Sequence, residues 1–320
     1  MVDRLDPNIA AILPLLPLKD AANLTPARAR DELVALAESR KDLPLPQVSA
    51  VADVTVDGAE GTIPARIYRA SATASATVVF FHGGGWVAGD LNTHDRNARA
   101  LALAVDAVVL SVDYRRPPEA RFPAAFADCL AATRWAARSI AQLGGDARRL
   151  AVAGDSAGGQ LAASVAQACR DGGPALRAQL LVYPVTDVAG AYRSKTENAN
   201  YPSRTQNAEG YFLTLDVMRF FAGQYLAADD GRDWRVSPLR AASCQGLPPA
   251  VICTAQLDPL RDEGDAYAKA LQQAGVSVTH FCEPGLIHGY FSLGAVAPVA
   301  EQARQRACGA FRRLLAENAG

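Results

Sequence analysis

The spacing of apolar residues changes along the chain, and the change predicts two kinds of strand. Between residues 52 and 67, apolar and polar residues alternate around Gly58–Gly61. Such alternation with a glycine-containing centre predicts a β-hairpin with one face in solvent. Short continuous apolar runs follow, as in Val78–Phe81 and Leu150–Ala153. These runs are typical of parallel strands covered on both faces.

Amphipathic stretches separate the apolar runs. Residues 122–140 and 266–274 carry apolar side chains every three or four positions, as helices do. A last strand is expected near Val276–Cys282, before a final helix. An antiparallel start followed by repeated strand–helix units predicts an α/β fold. Its sheet should be mostly parallel, with about eight strands and helices on both faces.

One long stretch interrupts this alternation of strands and helices. The 66 residues between Tyr183 and Ala250 contain no strong strand pattern. A structureless loop of that length is uncommon inside a compact domain, so an inserted cap is the better interpretation. We therefore predict a helical cap made of residues 1–48 and 186–238. The core would comprise residues 49–185 and 239–320.

Composition excludes several classes of protein. Of the 320 residues, 50% are hydrophobic and 20% are charged, which is typical of a globular chain. The net charge is −1, so there is no excess of basic residues to bind nucleic acid. The apolar run Ile9–Leu18 is short and contains two prolines, so we expect neither a signal peptide nor stable membrane insertion. The six cysteines form no Cys-x-x-Cys pair, which favours reduced thiols in a cytoplasmic protein and no metal site.

A candidate nucleophile lies between a predicted strand and a predicted helix. Residues 154–158 read Gly-Asp-Ser-Ala-Gly, with Ser156 at the centre. This Gly-x-Ser-x-Gly pattern is typical of the sharp strand-to-helix turn that presents the serine of α/β-hydrolases. Five-residue patterns also recur by chance, but the apolar strand before the motif and the alanine-rich helix after it argue against chance. Asp155 is a supporting residue of this turn.

A glycine run follows another predicted strand. Residues 82–86 read His-Gly-Gly-Gly-Trp. Glycines let backbone N–H groups approach a substrate oxygen that becomes negative during acyl transfer, although a flexible turn is the simpler alternative. The N–H of Ala157 should be a further donor. His82 and Gly83 are expected to support this loop, since His82 precedes the serine and is a poor candidate for the base.

The order serine, acid, histidine selects the remaining catalytic candidates. His288 follows the last predicted strand in a glycine-bounded loop, whereas His280 lies inside that strand and is interpreted as a packed residue. Asp258 follows an apolar strand and is the candidate acid, while Asp262 and Glu263 are expected to begin the next helix. Acyl transfer by such residues needs no metal and no cofactor.

Taken together, these motifs resemble the hormone-sensitive-lipase-like esterases, which are bacterial carboxylesterases. The shared stretches lie at residues 82–86, 113–115, 118–119, 154–159, 183–184, 209–211, 237–239, 258–264 and 288–290. The resemblance implies an α/β-hydrolase core with a cap, and activity on short- to medium-chain acyl esters. It also implies that Gly84 and Gly85 donate to the oxyanion. Arg116-Pro117 departs from the usual Leu-Ala, in a loop away from the triad.

Several functional alternatives stay open. The same triad serves amide, carbamate and thioester hydrolysis, and a non-catalytic ligand-binding protein of this fold is a rival from another class. The candidates for lining the substrate pocket are Trp86, Tyr201, Tyr211 and Phe212, with Leu13, Leu16, Phe220 and Phe221. The alternative for many of them is a place in the core of the cap. A small-molecule ester is the expected partner, and pairing of the last helix would give a homodimer.

Overall fold

The computed structural model describes residues 5–18, 21–74, 76–226 and 231–316. Its eight strands form one sheet. They are β1 Ala50–Gly58, β2 Gly61–Arg69, β3 Ala76–Phe81, β4 Ala107–Val112, β5 Leu150–Asp155, β6 Gln179–Val182, β7 Ala250–Leu257 and β8 Val278–Ile287.

The helices lie mainly between the strands. In the described part of the chain they are α1 Pro7–Ile12, α2 Pro26–Glu38, α3 Asp95–Val105, α4 Ala124–Arg138, α5 Ala157–Arg170, α6 Lys195–Ala199, α7 Ser203–Gln206, α8 Leu215–Leu226, α9 Arg261–Gln273 and α10 Pro298–Ala316. Helices α6 to α8 occupy the long segment between β6 and β7, where no strand pattern was found in the sequence.

The sheet has the order β1-β2-β4-β3-β5-β6-β7-β8. Strand β2 pairs antiparallel with β1 and β4, and the remaining neighbours are parallel. The predicted fold class, hairpin and strand number are confirmed. Because the parallel strands end at one edge of the sheet, the loops after β3, β5, β7 and β8 can meet there.

Alternate side chains of a central strand enter different cores. On β3, Val79 and Phe81 pack with α4 and α5, whereas Val78 and Phe80 pack on the side of α3 and α10. All four side chains are at most 3% exposed. The sheet is therefore covered on both faces, as the continuous apolar runs predicted.

The last strand is longer than the sequence pattern indicated. Pro284 and Gly285 were expected in a loop, but β8 continues through them to Ile287. A shift in the pairing register opposite Ala255–Leu257 accommodates them, and Gln256 Oε1 accepts a hydrogen bond from the Gly285 N–H at 2.8 Å. As a consequence, His288 comes directly after the strand.

Candidate active site

Ser156 occupies a tight turn between β5 and α5. Its φ of 57° and ψ of −121° are rare for a residue with a Cβ, so the surrounding packing must hold it there. A Cβ on Gly154 would lie 2.1 Å from the Gly158 carbonyl oxygen, and one on Gly158 would lie 1.9 Å from that of Phe81. Both glycines are therefore required for close backbone packing.

Three side chains from three loops form a continuous hydrogen-bonded chain. Ser156 Oγ lies 2.9 Å from His288 Nε2, and His288 Nδ1 lies 2.7 Å from Asp258 Oδ2. Asp258 is fully buried, and its Oδ1 accepts a hydrogen bond from the Leu260 N–H at 2.8 Å. The structure thus brings together the predicted nucleophile, base and acid. The other candidate histidine, His280, lies on β8 with its Nε2 2.9 Å from Asp265 Oδ1.

The glycine loop after β3 supplies backbone N–H groups next to the serine. Gly84 and Gly85 line the same cavity as Ser156 and have φ values of 112° and 59°. A Cβ on Gly84 would lie 2.2 Å from the Ala88 carbonyl oxygen. Throughout the described residues, no protein acceptor is bonded to the N–H of Gly84, Gly85 or Ala157. These three donors remain available to a substrate oxygen.

Asp155 holds the glycine loop from the opposite side. Its Oδ1 accepts a hydrogen bond from the Gly83 N–H at 3.0 Å, and His94 Nε2 lies 3.8 Å from the same oxygen. Burial raises the pKa of Asp155, and the nearby His94 opposes that shift. The carboxyl of Asp155 therefore ties the serine turn to the glycine loop.

His82 is a structural residue of this loop. Its ring stacks on Tyr114 at a centroid distance of 4.3 Å, and the Tyr114 hydroxyl donates to the His82 carbonyl oxygen at 2.7 Å. Burial, followed by the proximity of His94, holds the pKa of His82 well below its ordinary value. His82 is consequently neutral at physiological pH and braces the glycine run through packing.

A buried ion pair lies behind the Asp258 loop. Arg204 and Glu263 are both fully buried, with Arg204 Nη2 2.6 Å from Glu263 Oε2. Glu263 lies in the first turn of α9, as expected from the sequence, whereas Arg204 sits in a polar stretch without a motif. Helix α7, which carries Arg204, also contacts the acid loop. The Ser203 hydroxyl donates to the Pro259 carbonyl oxygen at 2.8 Å, and Asn207, just after α7, donates to that of Asp258 at 3.1 Å.

The cavity in front of Ser156 has a volume of about 130 Å³ and opens to solvent. Segments from both predicted parts of the cap line it, together with residues of the core. They include Leu16, Leu18, Leu33, Leu36 and Arg40 from the N-terminal segment and Tyr192, Phe212, Leu213, Met218 and Phe221 from the insertion.

Of the eight pocket candidates, four line this cavity: Leu16, Trp86, Phe212 and Phe221. The other four do not: Leu13, Tyr201, Tyr211 and Phe220. Tyr201 does not, because its hydroxyl donates to Asp187 Oδ2 at 2.7 Å and its ring packs on the guanidinium of Arg204. Tyr211 lies in a second pocket, which shares the side chains of Leu16 and Phe212 with the first. For Tyr201 and Tyr211, the aromatic composition of the insertion was a misleading guide.

In the described part of the chain, no group of three or more His, Cys, Asp or Glu side chains is arranged to hold a metal ion. Likewise, none of the described helices has both the length and the apolar character needed to cross a membrane.

Comparison with known proteins places these features in a family. The sequence model of a family described as alpha/beta hydrolase fold matches residues 78–292. Carboxylesterase NlhH of Mycobacterium tuberculosis is 44% identical over 260 residues, which cover 79% of each chain. Ethyl acetate hydrolase of Pseudomonas putida is 35% identical over 316 residues, which are 93% of this chain and 95% of that protein.

Solved structures agree with this assignment. The crystal structure of a thermostable esterase from Pseudomonas putida has a TM-score of 0.88 to this chain at 36% identity, covering 99% of this chain and 100% of the other. The chain therefore belongs to the α/β-hydrolase family, and within it to the hormone-sensitive-lipase-like carboxylesterases.

Proposed function

We propose that this carboxylesterase works through an acyl-enzyme on Ser156. The observation that carries the proposal is the hydrogen-bonded chain from Ser156 through His288 to Asp258. In the first step, His288 Nε2 takes the proton of the Ser156 hydroxyl while Oγ attacks the ester carbonyl carbon. Asp258 keeps Nδ1 protonated, orients the ring and stabilises the imidazolium cation.

The developing oxyanion receives hydrogen bonds from backbone N–H groups. Gly84, Gly85 and Ala157 are the proposed donors. The two glycines line the same cavity as Ser156, and Ala157 follows Ser156 at the start of α5. Among the described residues, no protein acceptor is bonded to any of the three N–H groups. Collapse of the tetrahedral intermediate breaks the ester C–O bond, and His288 returns its proton to the departing alcohol. Water then attacks the acyl-enzyme, with His288 again as base, and releases the carboxylic acid and the free serine.

The proposed substrates are short- to medium-chain acyl esters. The apolar wall formed by Val185, Leu213, Met218 and Phe221 suits a short acyl chain. The name of the relative that hydrolyses ethyl acetate supports the short end of this range. Segments 1–48 and 186–238 are proposed to form the cap that limits substrate size. A cytoplasmic location, suggested by the six free cysteines, and a homodimer are likewise proposals.

Active-site labelling tests the nucleophile. A fluorescent phosphonate ester should modify Ser156 at one equivalent per chain, as judged by intact-mass and peptide mass spectrometry. Ser156→Ala should abolish both labelling and hydrolysis of p-nitrophenyl butyrate. Labelling that survives in Ser156→Ala would refute the assignment, and binding of the ester without turnover would favour the ligand-binding alternative. Parallel assays with amide, carbamate and thioester analogues of one acyl group separate the alternative activities.

A further inference from the structure

An arginine lines the cavity that contains Ser156. Arg40 lies in the turn after α2 and faces the cavity together with Leu36 and Ser292. One of its N–H groups donates to the Ser292 carbonyl oxygen, with Nη1 at 2.9 Å from that oxygen. A guanidinium has five N–H donors, so most of its hydrogen-bonding capacity is left for a ligand.

Arg40 has no anionic partner within the protein as described. Several arginines elsewhere in the fold are paired with carboxylates, such as Arg30 with Glu119 at 2.6 Å and Arg240 with Asp187 at 2.7 Å. For Arg40, by contrast, no carboxylate of the described residues lies within ion-pair distance. Burying a charge without a counter-ion is unfavourable, which makes a half-buried, unpaired guanidinium unusual.

A second positive charge, on Arg96, lies near Arg40. Burial, and after it the nearby charge of Arg96, lower the pKa of Arg40. The guanidinium of Arg96 is itself bonded to backbone carbonyl oxygens, at 2.6 Å from that of Pro44 and 2.8 Å from that of Leu43. Because neutral carbonyl groups satisfy these bonds, neither guanidinium is neutralised, and both keep their positive charge.

One carboxylate does line the cavity, but it is already engaged. Asp155 is 5% exposed, and its Oδ1 is held by the Gly83 N–H and faces His94. Two further polar side chains that line the cavity, Thr93 and Ser292, are neutral. An anion that entered here would therefore meet an uncompensated cation.

From this arrangement we propose that Arg40 binds a carboxylate carried by the ester substrate. The enzyme would then act on anionic esters, in which a carboxylate at one end accompanies the scissile ester at the other. This inference rests on the ester hydrolysis proposed above and names the substrate class of that same site. The carboxylate can belong to the acyl part, as in a dicarboxylic acid monoester, or to the alcohol part, as in an acylated hydroxy acid.

Matched substrate pairs test the proposal. Monoethyl glutarate carries the carboxylate on the acyl side and 4-acetoxybutyrate carries it on the alcohol side, and each has a neutral amide counterpart of nearly equal size. Hydrolysis is followed by pH-stat titration at about pH 8, where the free carboxylates are ionised. The measured quantity is the selectivity, which is kcat/KM for the anionic ester divided by kcat/KM for its neutral counterpart. In that counterpart a primary amide replaces the free carboxylate, and the scissile ester is unchanged.

The expected result is a loss of selectivity that depends on the charge at position 40. Arg40→Met should lower the selectivity for at least one pair by about tenfold or more, because a charge-assisted hydrogen bond is lost. Arg40→Lys should retain part of it, since the charge stays but the two-pronged geometry does not. The matched control is Arg312→Met, which removes the same charge from an exposed position of α10 and should leave the selectivity within twofold.

Several outcomes would overturn the proposal. These are an unchanged selectivity in Arg40→Met, an equal loss in Arg312→Met, or a wild-type enzyme that hydrolyses the neutral ester of both pairs better than the anionic one.

If Arg40→Met does not fold, inhibition of p-nitrophenyl acetate hydrolysis by the wild-type enzyme tests the proposal instead. Glutarate or 4-hydroxybutyrate should inhibit competitively, with weaker inhibition in about 0.5 M NaCl. No inhibition by either anion would refute the site. An enzyme that hydrolyses p-nitrophenyl acetate but does not prefer the anionic esters over their neutral counterparts would refute only the role of Arg40. An enzyme that hydrolyses no ester would refute the proposed function.

Discussion

The buried pair of Arg204 and Glu263 makes a quantitative prediction about stability and about the Asp258 loop. The guanidinium of Arg204 lies between the rings of Tyr192 and Tyr201, 4.7 and 4.2 Å from their centroids. Glu263 Oε1 accepts a hydrogen bond from the Thr186 N–H at 2.8 Å. Arg204→Met would leave this carboxylate buried without its counter-ion. Breaking one side of a buried pair costs about 3–5 kcal/mol.

The cost of Arg204→Met should depend on pH. Burial raises the pKa of Glu263 to about 7 even beside Arg204, and loss of the cation would raise this pKa further. A carboxyl with a raised pKa in the folded state binds more protons there than in the unfolded chain. Stability is therefore lost as pH rises from the unfolded pKa towards the folded one. We expect a larger cost at about pH 8.5 than at about pH 6, where Glu263 is largely neutral.

Chemical denaturation at both pH values measures these differences, and thermal melting should show a decrease of roughly 5–15 °C. Glu263→Gln removes the titrating carboxyl, so its cost should fall as pH rises through about 7, where the wild type itself loses stability. The double variant Arg204→Met/Glu263→Gln should cost less than the sum of the single variants. Arg138→Met is the matched control, because it breaks an exposed pair with Asp57 and should cost at most about 1 kcal/mol. An Arg204→Met variant that loses no more stability than this control, or one that loses more stability as pH falls, would contradict the prediction.

Three other substitutions test the site itself. Ser156→Gly should abolish hydrolysis yet raise stability above Ser156→Ala by about 1–3 kcal/mol in denaturant titrations, because glycine tolerates the φ of 57°. Equal stability of the two variants would contradict strain at this turn. Asp258→Asn should lower kcat about 10⁴-fold in p-nitrophenyl ester assays with little change in melting temperature, and near-normal kcat would exclude Asp258 as the orienting acid. Phe212→Ala should join the two pockets that share Phe212 and Leu16, and so raise the octanoate-to-butyrate ratio of kcat/KM about tenfold. An unchanged ratio would show that the second pocket does not receive the acyl chain.

The architecture could be predicted from the sequence because its signals are local. Each central strand is a continuous apolar run, and the Ser156 turn needs small residues in consecutive positions, so both leave a compact pattern. The triad could also be ordered along the chain, since α/β-hydrolases keep the sequence Ser, Asp, His. The extent of β8 was missed because Pro284 and Gly285 usually end a strand. Here a register shift in the partner strand accommodates them.

Contacts between distant segments left no comparable signal. Arg204 and Glu263 are 59 positions apart, and nothing local distinguishes this arginine from the polar residues around it. Tyr201 was assigned to the pocket because it is aromatic, whereas the arginine next to its ring gives it a different role. Arg40 lies near the end of an ordinary surface helix, and only the folded chain shows that it faces the same cavity as Ser156.

Different parts of the fold hold Ser156 and Asp258 in place. The reacting atoms depend on strand ends and glycines, which form a strained turn at Ser156 that only close packing can hold. Asp258, the proposed acid, is held differently, because its carbonyl oxygen accepts from Asn207 and the neighbouring Pro259 carbonyl oxygen accepts from Ser203, both in the segment around α7. The inserted segment therefore does more than line the cavity, since it also supports the Asp258 loop. A substitution at Arg204 that shifts this segment should consequently lower kcat as well as change KM, whereas a substitution that only reshapes the pocket wall should act mainly on substrate preference.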